Sequence, residues 1–535
     1  VSEPAGVTEP AAVIGVLGAG TMGSGIAQLA CLAGARTLLH DPVAEALDRG
    51  AGAVGENLDR GAQRGRWSEQ EAREAAQRLQ PAGDLRQLAS CELVIEAAPE
   101  SLELKHQLFS SLSEIVDERC VLATNTSSLS VTAIASAASN PGRVVGMHFF
   151  NPAPLMRLLE VVAGEASDER SLALARATGE AMGKRVIDAA DGPGFLVNRC
   201  NRPFGLEALR LVGEHLADVE QVDRIMRLGG GFRMGPFELS DLVGVDVGFE
   251  ISKSFYAQSF GEPRWRPSLV AQRMVDAGRF GRKAGRGYYR YGEGPHRPED
   301  PEPPAAGGGD GLIVIAGAGR LAEELREAAA DAGWDARAPE EADEQVPTLA
   351  LDCGGSGDGA PLQGGPQALL CDRGSLAAMD PNGSSVGFYV LPPLAETRLV
   401  ELTRGPGSSQ LAIDASERFF ASLGKHVEWV GDAPGLVLGR IVCQLINEAA
   451  FAVGEGVGSA ADIDAGMVLG LNHPRGPLEW ADTVGLDHVL EVLQALSLHY
   501  EEERYRTAPL LRRLWYEGAT GRDVGAGFHR YPQAS

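Results

Sequence analysis

Between residues 13 and 162 the chain alternates short apolar runs (VIGVL, TLLH, LVIEAA, CVLAT, RVVGMHF, LLEVV) with stretches whose apolar residues recur at helical spacing. An apolar run without polar alternation marks a strand covered on both faces, and helices between such strands supply parallel crossovers. The pattern predicts a mostly parallel sheet wrapped by helices. From about Gly194 the strand-like runs stop, and segments such as PFGLEALRLVGEHL and VEQVDRIMRLG predict a helical region. A run rich in Pro, Gly and acids, GPHRPEDPEPPAAGGGDG at 294–311, cannot build a packed core and reads as a linker.

Beyond that run the sequence repeats itself. GMHFFNPAPLMRLLEVV at 146–162 is matched by GFYVLPPLAETRLVELT at 387–403, and the position pairs 148/389, 160/401, 198/439 and 235/476 all differ by 241. Nearer the amino terminus GAG at 18 matches GAG at 317, and Asp41 matches Glu340, both at a spacing of 299. The difference, 299 − 241 = 58, is the number of residues missing from the second α/β region. The expected order is therefore an α/β domain over 1–190, a helical domain over 191–293, the linker, a shortened α/β domain over 312–431 and a second helical domain over 432–535.

Composition narrows the functional classes. A length of 535 residues fits several domains, and no apolar run approaches the ~20 residues of a membrane span. The opening VSEPAGVTEPAA lacks the basic and apolar regions of an export signal. A net charge of −25 argues against a nucleic-acid partner, which demands a basic surface. Seven scattered cysteines without CxxC spacing point to reduced thiols in a cytoplasmic protein and to no metal site.

Candidate chemistry concentrates in the first repeat. VIGVLGAGTMGSG places Gly18, Gly20 and Gly23 in GxGxxG spacing between a strand and a helix, with Thr21 and Met22 inside the turn. This is the Rossmann arrangement, in which the helix N-terminus receives pyrophosphate. Asp41 closes the next strand, where a carboxylate accepts both ribose hydroxyls and repels a 2′-phosphate, favouring NAD over NADP. Asn125, Thr126, Ser127 and Ser128 follow a strand and face the crevice, although Ser128 reads equally as a helix N-cap. His148 and Glu160 sit on either side of an NPAP turn that brings imidazole and carboxylate together, as a general base requires.

The set GAGTMG, NTSS, GMHFFNP, LLEVV and PGFLVNR resembles the 3-hydroxyacyl-CoA dehydrogenase family across nearly all of residues 13–291. The resemblance implies a Rossmann-type NAD-binding domain followed by an all-α domain like that of 6-phosphogluconate dehydrogenase, the pair duplicated here with the second Rossmann-type domain truncated. It implies catalytic roles for Ser127, His148, Glu160 and Asn198. NAD contacts fall on Gly18 to Gly23, Asp41, Glu100, Lys105, Asn125, Ser127, Asn151 and Lys283. Family members act on acyl-CoA thioesters, and their helical domains resemble dimerisation modules. Two copies on one chain thus imply an internal pseudo-dimer, with or without further homo-oligomerisation. The two-copy arrangement resembles a branch whose substrate ends in a carboxylate, for which Arg202 or Arg233 could serve. A short 3-hydroxybutyryl substrate, or a non-catalytic NAD or acyl-CoA binder, is the alternative.

The second repeat acts as a control. His148 becomes Tyr389, Asn198 becomes Gly439, Gly23 becomes Ala322, and Ser127 is expected opposite Gly374. The base is lost, which predicts one active site per chain. Glu160 nevertheless persists as Glu401, for which the sequence offers no reason. Gly235, Pro236, Arg199 and Asp223 recur as Gly476, Pro477, Arg440 and Asp464 and are assigned structural roles. Arg60, Arg64 and Arg66, in a helical insertion absent from the second repeat, are either a patch for the phosphates of coenzyme A or a solvated helix face.

Overall fold

A computed structural model describes residues 8–317, 319–342, 345–354, 364–381 and 383–532; the first seven residues of the amino-terminal stretch lie outside them. The first sheet contains β1 (Val13–Leu17), β2 (Arg36–His40), β3 (Leu79–Ala82), β4 (Leu93–Glu96), β5 (Val121–Thr124), β6 (Val144–Phe149), β7 (Leu158–Ala163) and β8 (Arg185–Ala190). Their order is β3-β2-β1-β4-β5-β6-β7-β8. Every neighbouring pair is parallel except β6 and β7, which run antiparallel with His148 opposite Glu160. Both faces are covered, so β4 and β5 are buried along their whole length, as their unbroken apolar sequence requires.

The second sheet contains β9 (Leu312–Ala316), β10 (Asp335–Arg337), β11 (Leu349–Asp352), β12 (Gln367–Leu370), β13 (Val386–Tyr389), β14 (Leu399–Arg404) and β15 (His426–Trp429). Its order, β10-β9-β11-β12-β13-β14-β15, reproduces the first sheet without the β3 edge strand. In the first sheet the helices Ala44–Gln63 and Glu69–Arg78 lead from β2 to β3. They have no counterpart among the described residues of the second, and their loss accounts for most of the shortening. Strand pairing corrects one detail of the expected alignment. Ala123 pairs with Val145, and Ala368 pairs with Val386, the counterpart of Val145. The spacing at this strand is therefore 245 (368 − 123), which puts Asp372, rather than Gly374, opposite Ser127. Aspartate contacts agree, since Asp191 accepts from Val131 N and Thr132 N as Asp432 accepts from Leu376 N and Ala377 N.

The chain forms two compact units, 1–199 with 456–471 and 200–455 with 472–535. In the first, helix Ala460–Leu471 of the second repeat packs on β7 and β8. Close approach needs glycine there: a Cβ at Gly466 would lie 2.7 Å from Val197 Cγ2, and one at Gly470 2.8 Å from Leu158 Cδ2. In the second unit the equivalent helix of the first repeat, Val219–Leu228, packs on β14, and Arg224 donates to Glu428. The exchange extends to single backbone bonds. Ala190 N donates to Val457 O at 2.8 Å in one unit, and Gly431 N donates to Leu216 O at 2.7 Å in the other.

Within the second unit, helix Arg202–Gly213 packs against helix Leu438–Gly454 around the fully buried Arg440. An unpaired guanidinium there would be prohibitive, and all five of its N–H groups find acceptors. Nε donates to Glu207, Nη1 to Glu214 and Tyr500, and Nη2 to Glu214 and Tyr505, at 2.6–3.0 Å. Residues 294–311 form no helix or strand and are pinned at Asp300, which receives Arg227, and at His296 and Arg297, which meet Glu238.

Candidate active site

The glycine-rich turn shows why each glycine is there. Gly18 has φ +92°, and a Cβ on it would stand 2.6 Å from Ala97 O. A Cβ on Gly23 would fall 1.7 Å from Gly18 O, so only glycine lets the helix close onto the strand. Gly20 has nothing within 4 Å of a would-be Cβ and caps helix Thr21–Leu32 with no side chain over its first N–H groups. This is an open, uncapped helix start of the kind that receives a phosphate. Thr21 is exposed beside it, and Met22 packs against the core. Asp41 is fixed at the end of β2 by Ala19 N (2.9 Å) and Val43 N (3.0 Å). These features fit the dinucleotide NAD.

A cavity of about 580 Å³ opens next to the turn, lined by Gly20, Thr21 and Asp41 on one side and by Arg60, Arg64, Arg66 and Trp67 on the other. The arginine insertion thus faces the cavity that Asp41 also lines. Trp67 belongs to no sequence motif; its indole N–H donates to Leu58 O, and its ring presses on Gly61, where a Cβ would lie 1.9 Å away.

The crevice floor is a buried ionic cluster. Lys105, 1% exposed, donates to both oxygens of Glu96 (2.7 and 2.8 Å) and lies 3.4 Å from Glu100. Thr124 Oγ1 also donates to Glu96. Glu96 was missed because a lone acid at the end of an apolar strand carries no motif; that unusual ending of LVIE was the available signal. Glu100 accepts from Thr126 Oγ1 (2.5 Å), Ser127 N (3.1 Å) and Ser128 (N and Oγ), tying the NTSS loop to the floor. Burial opposes its ionisation, but the Thr126 hydroxyl, the Lys105 charge and the Ser128 and Ser127 bonds outweigh burial and hold its carboxyl below the usual range. Asn125 Oδ1 accepts from Phe149 N at 2.8 Å, fixing the strand next to His148. Ser127 and Asn151 are exposed. Lys283 lies in the other compact unit, where it pairs with Asp246 at 2.6 Å.

His148 Nδ1 lies 2.5 Å from Glu160 Oε2, with the carboxylate wholly buried and the imidazole 6% exposed. The antiparallel pairing of β6 with β7 creates this contact, and the rings of Phe150 and Phe195 flank the imidazole at 4.7 and 5.8 Å. Donation of Nδ1–H to a carboxylate fixes the tautomer and leaves Nε2 as the proton acceptor. Glu160 does a second job: its Oε1 accepts from Leu196 N (3.2 Å) and Val197 N (2.9 Å). One carboxylate therefore connects the histidine to the turn carrying Asn198, on the short helix Val197–Cys200.

In the second repeat Glu401 keeps that second job. Its oxygens accept from Val437 N (2.8 Å) and Leu438 N (3.0 Å), the counterparts of Leu196 and Val197. Burial pushes its carboxyl up to about 8 against these two bonds. Glu401 thus persists because it anchors backbone. Tyr389 fills the histidine position, and its ring takes the space of the missing asparagine: a Cβ on Gly439 would lie 2.2 Å from Tyr389 Cζ.

Comparison with known proteins places this site in a family. The pattern of "3-hydroxyacyl-CoA dehydrogenase, NAD binding domain" matches residues 13–192, and that of "3-hydroxyacyl-CoA dehydrogenase, C-terminal domain" matches 194–291 and again 435–531. The chain is 35% identical over 500 residues to the 3-hydroxyadipyl-CoA dehydrogenase of Escherichia coli K12, covering 94% of this chain and 96% of that protein. It is 39% identical to a probable 3-hydroxybutyryl-CoA dehydrogenase of Deinococcus radiodurans, across 52% of this chain and 99% of that one. A crystal structure described as 3-hydroxybutyryl-CoA dehydrogenase from Escherichia coli K12 superposes with a TM-score of 0.81 at 34% identity, over 95% of this chain and 99% of that one. The glycine turn, the buried His148–Glu160 pair and the duplicated carboxy-terminal match agree: the chain belongs to the 3-hydroxyacyl-CoA dehydrogenase family of NAD-dependent oxidoreductases.

Proposed function

We propose that the first repeat oxidises the C3 hydroxyl of 3-hydroxyadipyl-CoA to the 3-oxo thioester, as a step of phenylacetate catabolism. The observation that carries the chemistry is the 2.5 Å contact between His148 and Glu160. His148 Nε2 takes the hydroxyl proton, and the positive charge that develops on the ring faces a buried carboxylate. Water is largely excluded there, so the attraction is stronger than at a surface. Ser127 and Asn198 position the hydroxyl and the thioester carbonyl. Bound NAD supplies the hydride acceptor. Gly18 to Gly23, Asp41, Glu100, Lys105, Asn125, Ser127, Asn151 and Lys283 serve its binding, directly or by holding the loops that form the site. The cavity walled by Arg60, Arg64 and Arg66 supports a place for coenzyme A phosphates.

The adipyl substrate rests on full-length similarity to the Escherichia coli protein of that name. The short-chain alternative, 3-hydroxybutyryl-CoA, is favoured by the names of the single-repeat relatives. Following NADH absorbance with both thioesters in parallel separates them. At least tenfold higher kcat/KM on the adipyl compound is expected, equal values would favour the short substrate, and no signal with either would leave a binder.

The packing of helix Arg202–Gly213 on Leu438–Gly454 around Arg440, together with the exchanged helices, supports an internal pseudo-dimer of the two repeats. We divide the chain at 190/191, 293/294, 311/312 and 431/432. Among the described residues no helix is long and apolar enough to cross a membrane. The seven cysteines, none joined in a disulfide among the described residues, support a cytoplasmic site of action.

A further inference from the structure

The second repeat has not merely lost its base; its crevice holds a different set of groups. Asp372 stands where Ser127 is in the first repeat, Tyr389 where His148 is, and His488 where Val247 is, at the spacing of 241. His488, Glu491 and Asp372 each present one ligand-type atom, and all three atoms lie within 4.8 Å of one another. His488 Nδ1 is 3.7 Å from Asp372 Oδ2. That is too long for a hydrogen bond but matches two ligands sharing one ion at about 2.0–2.2 Å each.

Three further observations point to a cation. Asp372 is 1% exposed, and its Oδ1 has no hydrogen-bond partner, a costly state for a buried carboxylate. Negative charge gathers around it: Asp352, Asp372 and Glu491 all act on Arg373, whose guanidinium reaches Asp352 at 3.0 Å and comes no closer than 3.5 Å to Asp372 Oδ1, without forming a hydrogen bond there. Finally, His488 is already oriented. Its Nε2 lies 2.7 Å from the Tyr389 hydroxyl; with Nε2–H donating there, Nδ1 has its lone pair for the cluster, the second-sphere arrangement common to metal-bound histidines. Gly354, at φ +76°, leaves the space; a Cβ there would stand 2.7 Å from Asp372 Oδ2.

We propose that the second repeat binds one divalent transition-metal ion of the zinc class through His488 Nδ1, Asp372 and Glu491, in the crevice equivalent to the catalytic site of the first. An imidazole with two carboxylates suits Zn²⁺ or Mn²⁺ and disfavours Mg²⁺, which prefers an all-oxygen shell. The ion neutralises the excess negative charge, so the degenerate half becomes a structural metal site instead of an empty one.

The test uses the full chain, stripped with chelator and titrated calorimetrically with Zn²⁺ and separately with Mg²⁺, with metal content measured after gel filtration. One zinc per chain is expected, with Mg²⁺ far weaker. Asp372→Asn and His488→Gln should each weaken zinc binding at least tenfold, while His499→Gln, at an exposed histidine elsewhere, should not. Both cluster variants should keep the wild-type dehydrogenase rate, which shows that they are folded. No retained zinc in the wild-type chain, or equal zinc binding by the wild type and both cluster variants, would overturn the proposal.

Discussion

The two repeats share a backbone plan and differ in what they put into it. Both pair an antiparallel strand couple so that a glutamate faces position 148 or its equivalent, and both use that glutamate to hold two backbone N–H groups at the start of the helical region. In the first repeat the carboxylate has an oxygen left for His148; in the second both oxygens serve the backbone and a tyrosine fills the space. A residue kept by both halves is therefore not automatically only structural. Glu160 both anchors backbone and holds His148, and the copy keeps only the first of these roles.

The largest expected effect comes from removing the imidazole of His148. His148→Gln should lower turnover by about 10² to 10⁴, the usual range for general-base catalysis, with NAD affinity by fluorescence titration unchanged. A parallel loss of NAD affinity would mean a folding role instead. Arg440→Met takes one of two guanidinium partners from the buried Glu207, which keeps Arg210, and takes both guanidinium bonds from Glu214; it should cost about 3 kcal/mol in chemical denaturation.

Acid should expose the same cluster. Burial works against ionisation of Glu207, but Arg210, Arg440 and Arg504 outweigh it and bring its carboxyl down to about 2 from 4.5. The folded state then binds fewer protons than the unfolded one between these values. The stabilisation is complete above about pH 4.5 and disappears as pH falls through the folded value, a swing of roughly 3 kcal/mol. Urea midpoints measured across this window should show the decline, and Arg440→Met should reduce it, with Arg210 retaining the remainder.

Glu401→Gln, which replaces one of the two acceptor oxygens by a donor, should cost about 1–3 kcal/mol and leave turnover untouched. Glu160→Gln should lose both stability and rate. Smallest of all, Tyr389→Phe should leave NADH production at its wild-type value.

Much of this was legible in the sequence because it is local or periodic. The glycine spacing specified a turn that only glycine can make, and the NPAP turn between two apolar runs placed His148 opposite Glu160. The repeat register located the deletion, which the structure traces mainly to the missing β3 and its two helices. What escaped was set by tertiary packing. Glu207 and Arg440 are 233 positions apart, and no short pattern joins them. The exchange of helices Val219–Leu228 and Ala460–Leu471 between sheets leaves both amphipathic signals as they would be without it. Gly374 stands two positions past the true counterpart, because the spacing changes from 241 at β13 to 245 at β12 with no local motif to mark the shift; strand pairing assigns Asp372 instead.

Equilibrium titration of the full chain with NADH, read by nicotinamide fluorescence, tests most directly whether only the first half works as a dehydrogenase. Ala322 occupies the position where Gly23 lets helix and strand close, so one molecule bound per chain is the predicted result. Two bound per chain, with equal affinity, would contradict the assignment of a single active half.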